Sequence, residues 1–296
     1  MIKELKPTPM VSVVIPTYNR ASTIKRSVSS VLNQTYSDLE VIVVDDCSTD
    51  NTEEIVKSIK DKRVSYIKIE KNRGANYCRN MGITMAKGEY IAFQDSDDEW
   101  LPEKLEKQLK YMKETSADFC FCLQKRMFGR KKYYFPRKNL HLPTKREDVV
   151  RMLFKGGFIS TQAIILKKEV AENVKFDGSL PRFQDWDFAI RVADKYKICF
   201  LNESLVDAYE QSDSISHNDE KGVKAVKLLE EKYAKILQAD NQAKRNFEYA
   251  KCKILWRAGR YKEAAKLARM ILKKGMNFKV FYILVSSFFG LRKERV

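Results

Sequence analysis

Residues 11–20 read VSVVIPTYNR, and this stretch decides the fold. A short β-branched run stops at Pro16, the pattern of a buried strand. Residues 21–34 follow with Ile24, Val28, Val31 and Leu32 at helical spacing. Residues 41–44 (VIVV) form a second buried run that ends in Asp45 and Asp46. Asp50 and Glu53, three apart, make an N-cap pattern that opens a helix to about Lys60. Residues 64–69 predict a third strand, 75–86 a third helix, and 90–93 a fourth strand leading into Gln94, Asp95, Ser96, Asp97 and Asp98. Three strand–helix alternations imply a parallel sheet with right-handed crossovers and helices on both faces. Ligands of such sheets bind beyond the carboxyl ends of the strands. Each polar cluster so far, at 17–19, 45–46 and 95–97, sits at such an end.

Further along, a helix starting near Pro102 gives way to a mixed pattern. Residues 119–123, 132–135 and 163–166 read as strands, 146–155 and 185–196 as helices, and 198–201 and 205–209 as two late strands. From Asp219 the pattern is helical, with Val223, Val226, Leu229, Tyr233 and Ile236 on one stripe, and two or three more helices follow. The polar stretch 212–218 suggests a boundary, giving an α/β domain over residues 1–215 and a basic helical region over 216–296.

A composition of 44% apolar and 32% charged residues over 296 positions is that of a globular chain and excludes disorder as its main state. No apolar run approaches the roughly 20 residues of a spanning helix. The first ten residues lack the apolar core of a secretory leader, so a cytoplasmic location is expected. The net charge of +17 is concentrated at one end: residues 220–296 hold 20 Lys and Arg against 7 Asp and Glu. A surface so basic attracts phosphate, on nucleic acid or on anionic lipid. The six cysteines are scattered among apolar neighbours and read as reduced structural thiols.

Four clusters could carry chemistry. Asp95 and Asp97, two residues apart after a buried strand, can share a divalent ion with phosphate oxygens; the alternative is a solvated acidic turn. Asp45 and Asp46 can accept from a nucleobase or ribose, or simply start the next helix. Pro16, Thr17 and Tyr18 lack the glycines of dinucleotide and P-loop motifs, but Tyr18 could stack on a base. In residues 183–187 (FQDWDF continues to Phe188), Asp185 at a helix start would stay ionised and could act as a general base; Trp186 could stack on a sugar or lie in the core. Of the two histidines, His141 reads as a loop residue and His217 could reach a metal from the far side.

In this order, VSVVIPTYNR, VIVVDDCSTDNT, NRGANYCRNMGITMAKGEYIAFQDSDDEW and FQDWDF resemble the family 2 glycosyltransferases of GT-A fold, of the bacterial surface-polysaccharide type. The resemblance covers about residues 10–215. It implies a Rossmann-like, nucleotide-sugar-binding domain with a mixed central sheet. It implies that Pro16, Thr17 and Tyr18 line a base pocket, that Asp46 contacts the base with Asp45 in support, and that Arg73 or Arg79 lies toward the base or diphosphate. Asp95, Ser96 and Asp97 match the family's Asp-x-Asp element, with Asp97 the direct ligand of Mn²⁺ or Mg²⁺. Asp185 matches the catalytic base. Gln184 stands where Glu is more usual, and Cys47 where Gly is common. The implied reaction is direct displacement with inversion, from a nucleoside-diphosphate sugar, UDP by family habit, to a hydroxyl of a glycan or lipid-linked acceptor.

Residues 220–296 lie outside the resemblance. The apolar run 278–289 (FKVFYILVSSFF), flanked by Lys273, Lys274, Lys279, Arg292, Lys293 and Arg295, fits either a core helix or a helix in an anionic membrane interface. The latter would make the protein peripheral on the inner face of the plasma membrane. Competing functions are a sugar-phosphate nucleotidyltransferase, which would want a Gly-rich basic loop near the N-terminus, and a nucleic-acid-binding protein, supported by charge alone. Oligomeric state is left open by the sequence.

Overall fold

The computed structural model describes residues 10–129, 131–209 and 218–290. The chain divides into two compact units. One comprises Met1–Leu142, Ile159–Gly178 and Arg191–Glu210; the other comprises Pro143–Phe158, Ser179–Ile190 and Gln211–Val296.

In the first unit β1 (Val11–Thr17), β2 (Leu39–Asp45), β3 (Val64–Lys68) and β4 (Tyr90–Phe93) alternate with α1 (Ile24–Leu32), α2 (Thr52–Ser58) and α3 (Ala75–Met85). β1 pairs in parallel with β2 and β4, and β2 with β3, as the alternation predicts. All seven residues of β1 are buried, which is why its sequence is continuously apolar rather than alternating. The sheet continues through β5 (Glu99–Trp100), β6 (Phe119–Phe128), β7 (Lys131–Phe135), β8 (Ile164–Lys167) and β9 (Ile198–Tyr209). Its order is β3-β2-β1-β4-β8-β6-β9-β5, with β7 paired to β6. β8 is antiparallel to both β4 and β6, whereas β6 and β9 run parallel. The sheet is therefore mixed, as the fold class requires.

Two differences from the sequence reading have physical reasons. The late strands expected at 198–201 and 205–209 are one strand, β9, whose register against β6 shifts between Cys122 and Gln124. That irregularity absorbs the polar Asn202 and Glu203, which interrupt the apolar pattern. The short β5 and α6 (Lys168–Val174) carry too few residues to impose a period.

α3 lies directly on the sheet. A Cβ built at Gly82 would fall 2.3 Å from Val14 Cγ1, so only glycine permits this approach. α4 (Lys104–Thr115) carries the fully buried Lys104. Among the described residues its Nζ has no hydrogen-bond partner, and it sits 3.9 Å from the centroid of the Trp100 ring. Burial lowers its pKa to about 8.

The second unit contains α5 (Arg146–Leu153), the first part of α7 (Gln184–Ala193), α8 (Asp219–Lys232), α9 (Ala234–Ala239), α10 (Asn241–Arg257), α11 (Tyr261–Lys273) and α12 (Phe278–Phe288). The expected stripe from Val223 to Ile236 is broken at Tyr233, between α8 and α9. The Tyr233 hydroxyl donates to Asp187 Oδ1 at 2.8 Å, and Lys232 Nζ lies 2.8 Å from the same oxygen. Both contacts offset the full burial of the Asp187 carboxylate. α8, α10, α11 and α12 share a core that includes Val223, Cys252, Leu255, Trp256, Ala264, Ala268, Val280 and Ile283. Among the described residues no helix is long and apolar enough to cross a membrane. All six cysteines are free, and all but Cys47 are buried, in keeping with structural thiols.

Lys104 makes stability depend on pH. Its folded pKa lies below the ordinary 10.5, so the unfolded chain binds the extra proton between the two values. The penalty is complete below about pH 8 and vanishes above 10.5, a span worth about 3 kcal/mol. Urea unfolding of Lys104→Met and wild type across pH 7–10.5 is expected to show the difference between them shrinking as pH rises. A pH-independent difference would contradict a buried amine.

Candidate active site

Because β1, β2 and β4 are parallel neighbours, their following loops emerge at one edge of the sheet. Thr17 pairs in register with Asp45, the Asp46 amide donates to Thr17 O at 2.8 Å, and the Gln94 amide donates to Val14 O at 3.0 Å. The loop after β1 is held by the loop after β2. Asn19, in the left-handed region at φ 50°, donates its amide to Ser48 Oγ and accepts from the Thr49 amide. The Arg20 amide donates to Thr52 Oγ1, and that of Ala21 to Asp50 Oδ2. Asp50 also accepts from the Thr52 amide, so it serves the start of α2 and pins the neighbouring loop. Tyr18 stands 44% exposed on the resulting ridge. Thr17 is buried, and among the described residues its Oγ1 has no hydrogen-bond partner. Pro16 lies within β1 and is buried.

Asp45 and Asp46 differ. Asp45 is fully buried and accepts from the Ser48 amide at 2.7 Å and the Tyr66 hydroxyl at 2.6 Å. Burial and this carboxylate together raise the Tyr66 pKa. Asp46 accepts from two backbone amides, Arg73 at 2.6 Å and Gly74 at 2.8 Å, so it fixes the loop that opens α3. Gly74 takes φ 86° there, a conformation that suits glycine. The Arg73 guanidinium lies 4.2 Å from the Tyr77 ring centroid. Cys47 itself adopts φ 66°, in the left-handed region that glycine enters most readily.

The Asp95–Asp98 loop is gripped from three elements. Arg79 of α3 donates from Nη2 to Asp95 Oδ1 at 2.9 Å. Ser27 and Arg26, consecutive on α1, donate to the Asp95 and Asp97 carbonyls at 2.9 and 2.6 Å. Arg20 Nε lies 3.7 Å from Asp97 Oδ2. Arg26 also sits 4.0 Å from the Tyr209 ring centroid. Ser96 is buried in the turn. The Asp98 carboxylate accepts from Gln162 Nε2 and the Tyr209 amide. Its burial, followed by the charges of Asp95 and Asp97, raises its pKa well above the usual range.

Among the described residues no group of three or more His, Cys, Asp or Glu is arranged for a metal. Asp95 and Asp97 supply two hard oxygen donors, the number that Mg²⁺ or Mn²⁺ takes from protein when phosphate and water complete its shell. The donor set therefore fits the implied ion. His217 lies outside the described residues.

Asp185 belongs to the second unit, in the first turn of α7. Its Oδ1 accepts from the Trp186 amide at 2.8 Å. Trp186 is 1% exposed, donates its indole N–H to Leu153 O and stacks on Phe247. It is a core residue, and the sugar-stacking alternative falls. Arg20, Arg26 and Ser27 were not singled out by the sequence. Arg20 adjoins a singled-out loop, but Arg26 and Ser27 sit in an ordinary helical pattern with no signal of their own.

This arrangement defines a sheet edge that combines an exposed aromatic ridge, paired carboxylates and arginines. Residues 12–174 match the model of Glycosyl transferase family 2, and the chain belongs to that family. Among curated relatives, "UDP-Glc:alpha-D-GlcNAc-diphosphoundecaprenol beta-1,3-glucosyltransferase WfaP" of Escherichia coli is 34% identical over 204 residues, covering 68% of this chain and 76% of that protein. The S. aureus TarS 1-349 structure in complex with UDP superposes with a TM-score of 0.66 at 21% identity, covering 95% of this chain and 88% of that one. The mannosyltransferase PcManGT from Pyrobaculum calidifontis, in complex with GDP-Man and Mn²⁺, gives a TM-score of 0.63 at 18% identity, with 96% and 81% covered. The two structures share the fold.

Asp45→Ala leaves the Tyr66 hydroxyl and the Ser48 amide without their acceptor. The expected loss, read by urea denaturation, is about 2–4 kcal/mol. A loss below about 0.5 kcal/mol would show that this carboxylate does not hold the loop.

Proposed function

We propose that the protein is a metal-dependent, inverting glycosyltransferase that moves a sugar, hexose in type, from a UDP donor to a hydroxyl of a glycan or lipid-linked acceptor in surface-polysaccharide synthesis. The observation that carries this reading is the Asp95–Asp97 turn, held among Arg20, Arg26 and Arg79 at the carboxyl edge of a parallel sheet. Carboxylates and guanidinium groups side by side suit a ligand that brings a cation and a diphosphate together.

In this reading residues 1–215 are the catalytic domain and 216–296 an appended helical region. Pro16, Thr17 and Tyr18 line the base pocket, Tyr18 stacking and the Thr17 hydroxyl taking the partner it lacks. Asp46 faces the base with Asp45 behind it. Its two backbone contacts fix the carboxylate's orientation. Arg73 or Arg79 lies toward the base or diphosphate, with Ser96 shaping the turn below. Asp97, with Asp95, would hold Mn²⁺ or Mg²⁺, which supplies neutralisation of the charge that develops on the leaving diphosphate. His217 is proposed as a further ligand.

Asp185, ionised at a helix start, accepts the proton of the acceptor hydroxyl as that oxygen bonds to the anomeric carbon. The bond from that carbon to the diphosphate breaks, and UDP leaves with the electron pair. Attack opposite the leaving group inverts the centre. The named activity of WfaP, with its UDP-glucose donor and diphosphoundecaprenol acceptor, supports the donor and the lipid-linked alternative. The UDP of the TarS complex and the Mn²⁺ of PcManGT support the nucleotide and the ion. A cytoplasmic location, peripheral on the inner face of the plasma membrane, follows from this substrate pairing.

A thermal-shift panel of nucleotide-sugars with and without Mn²⁺ tests the donor. The expected result is a rise with UDP-sugars that needs the ion; no shift with any member would overturn the reading. Asp185→Asn is expected to lower turnover about 10²–10⁴-fold while leaving donor affinity nearly unchanged, measured by single-turnover assay and calorimetry. Equal losses in both would remove Asp185 from the base role. Asp97→Ala is expected to weaken ion-dependent donor binding, and an unchanged Mn²⁺ titration would exclude it as a ligand.

A further inference from the structure

α12 is turned inside out for a helix facing water. Its buried positions are Val280, Ile283, Ser286 and Ser287, two of them serines. Its exposed positions include Phe278 at 85%, Phe288 at 63%, Tyr282 at 51% and Phe281 at 49%, with Val285 also exposed and Phe289 exposed just after it. At 3.6 residues per turn, these six apolar side chains fall within an arc of about 120°. The serines are accounted for within the helix: Ser286 Oγ donates to Tyr282 O, and Ser287 Oγ to Ile283 O. Val280 and Ile283 anchor the opposite side in the core shared with Trp256 and Ala264. The helix is thus seated on its unit by a narrow face, and its broad aromatic face is left over. Contiguous exposed apolar surface of this kind marks a contact site.

The surroundings select the partner. From Ala264 to Gly290 the chain has five basic residues, Lys266, Arg269, Lys273, Lys274 and Lys279, and no Asp or Glu. Lys273, Lys279 and Arg269 are exposed, and the Arg269 guanidinium sits 5.2 Å from the Phe288 ring centroid. Met276, 74% exposed, extends the apolar arc beyond the helix start. Aromatic side chains rimmed by lysine and arginine match the headgroup layer of an anionic bilayer, where rings sit at the boundary and cations meet phosphate. A helix of 11 residues is about 16 Å long. That is half of what spanning needs.

We propose that the outward arc of α12 docks this chain on an anionic lipid bilayer, lying in the plane of the headgroups. The function it would serve, reaching a lipid-linked acceptor, rests on the glycosyltransferase reading above; the docking itself rests on the helix.

The test is co-sedimentation of the full chain with phosphatidylcholine vesicles and with vesicles that also contain phosphatidylglycerol. Binding is expected with the anionic vesicles, weakening as salt rises. Phe281→Ser combined with Phe288→Ser is expected to weaken it at least about tenfold, and Lys273→Gln combined with Lys279→Gln to flatten its salt dependence. These side chains are exposed, and a circular-dichroism melt verifies that each variant folds. Failure of the wild type to bind anionic vesicles, or binding untouched by the double phenylalanine change, overturns the proposal. So does a concentration-dependent dimer in sedimentation equilibrium that the same change abolishes, which would assign the arc to a second copy of the chain. UDP-sugar binding by both variants is expected to match wild type. If no nucleotide-sugar binds while vesicle binding persists, the enzymatic reading fails and the docking stands.

Discussion

Three carboxylates within four residues, Asp95, Asp97 and Asp98, repel one another, and the structure around the sheet edge is arranged to compensate them. Arg79 reaches Asp95 from α3, and Arg20 approaches Asp97 from the loop after β1. Asp98 takes the other route, with burial and its two neighbours favouring the protonated acid. Compensation by groups on separate elements has a structural effect: the turn cannot move without disturbing α1, α3 and the first loop together. A diphosphate carrying a cation would exchange like for like, its positive charge meeting the carboxylates and its negative charge the released guanidinium groups.

The same economy of contacts governs Asp46 and Asp185. Asp46 is occupied by two amides that shape the loop before α3, so a residue read as ligand-facing is also part of the frame. Asp185 begins α7, whose position within its own unit is fixed one residue later by the burial of Trp186 against Phe247 and Leu153. In both places a carboxylate adjoins a strongly anchored group, which limits how far it can wander.

Much of the fold was legible because buried parallel strands leave an unmistakable mark: VSVVI and VIVV have no polar alternation, and each is followed by polar residues at the point where the helix layers end. The place of the acidic turn was legible from the buried run of β4 before it. The rest was hidden for identifiable reasons. β9 reads as two strands in the sequence because a register shift tolerates Asn202 and Glu203 inside one. Arg26 and Ser27 could not be found from spacing, since they bind backbone carbonyls about 70 residues away. The orientation of α12 was also beyond the sequence. A run such as FKVFYILVSSFF has apolar residues on nearly every side, and only packing shows which side is left bare.

Gly82 shows how far a missing atom can reach. It lies one turn beyond Arg79 on α3, at the point where the helix rests on Val14 with no room for a methyl group. The depth at which the helix sits therefore sets the height of the guanidinium above the sheet. An alanine there would act as a shim, lifting the helix by a fraction of an ångström and drawing Arg79 away from Asp95 while replacing no charged residue. The alignment of the charged turn is in this sense gauged by a hydrogen atom buried behind it.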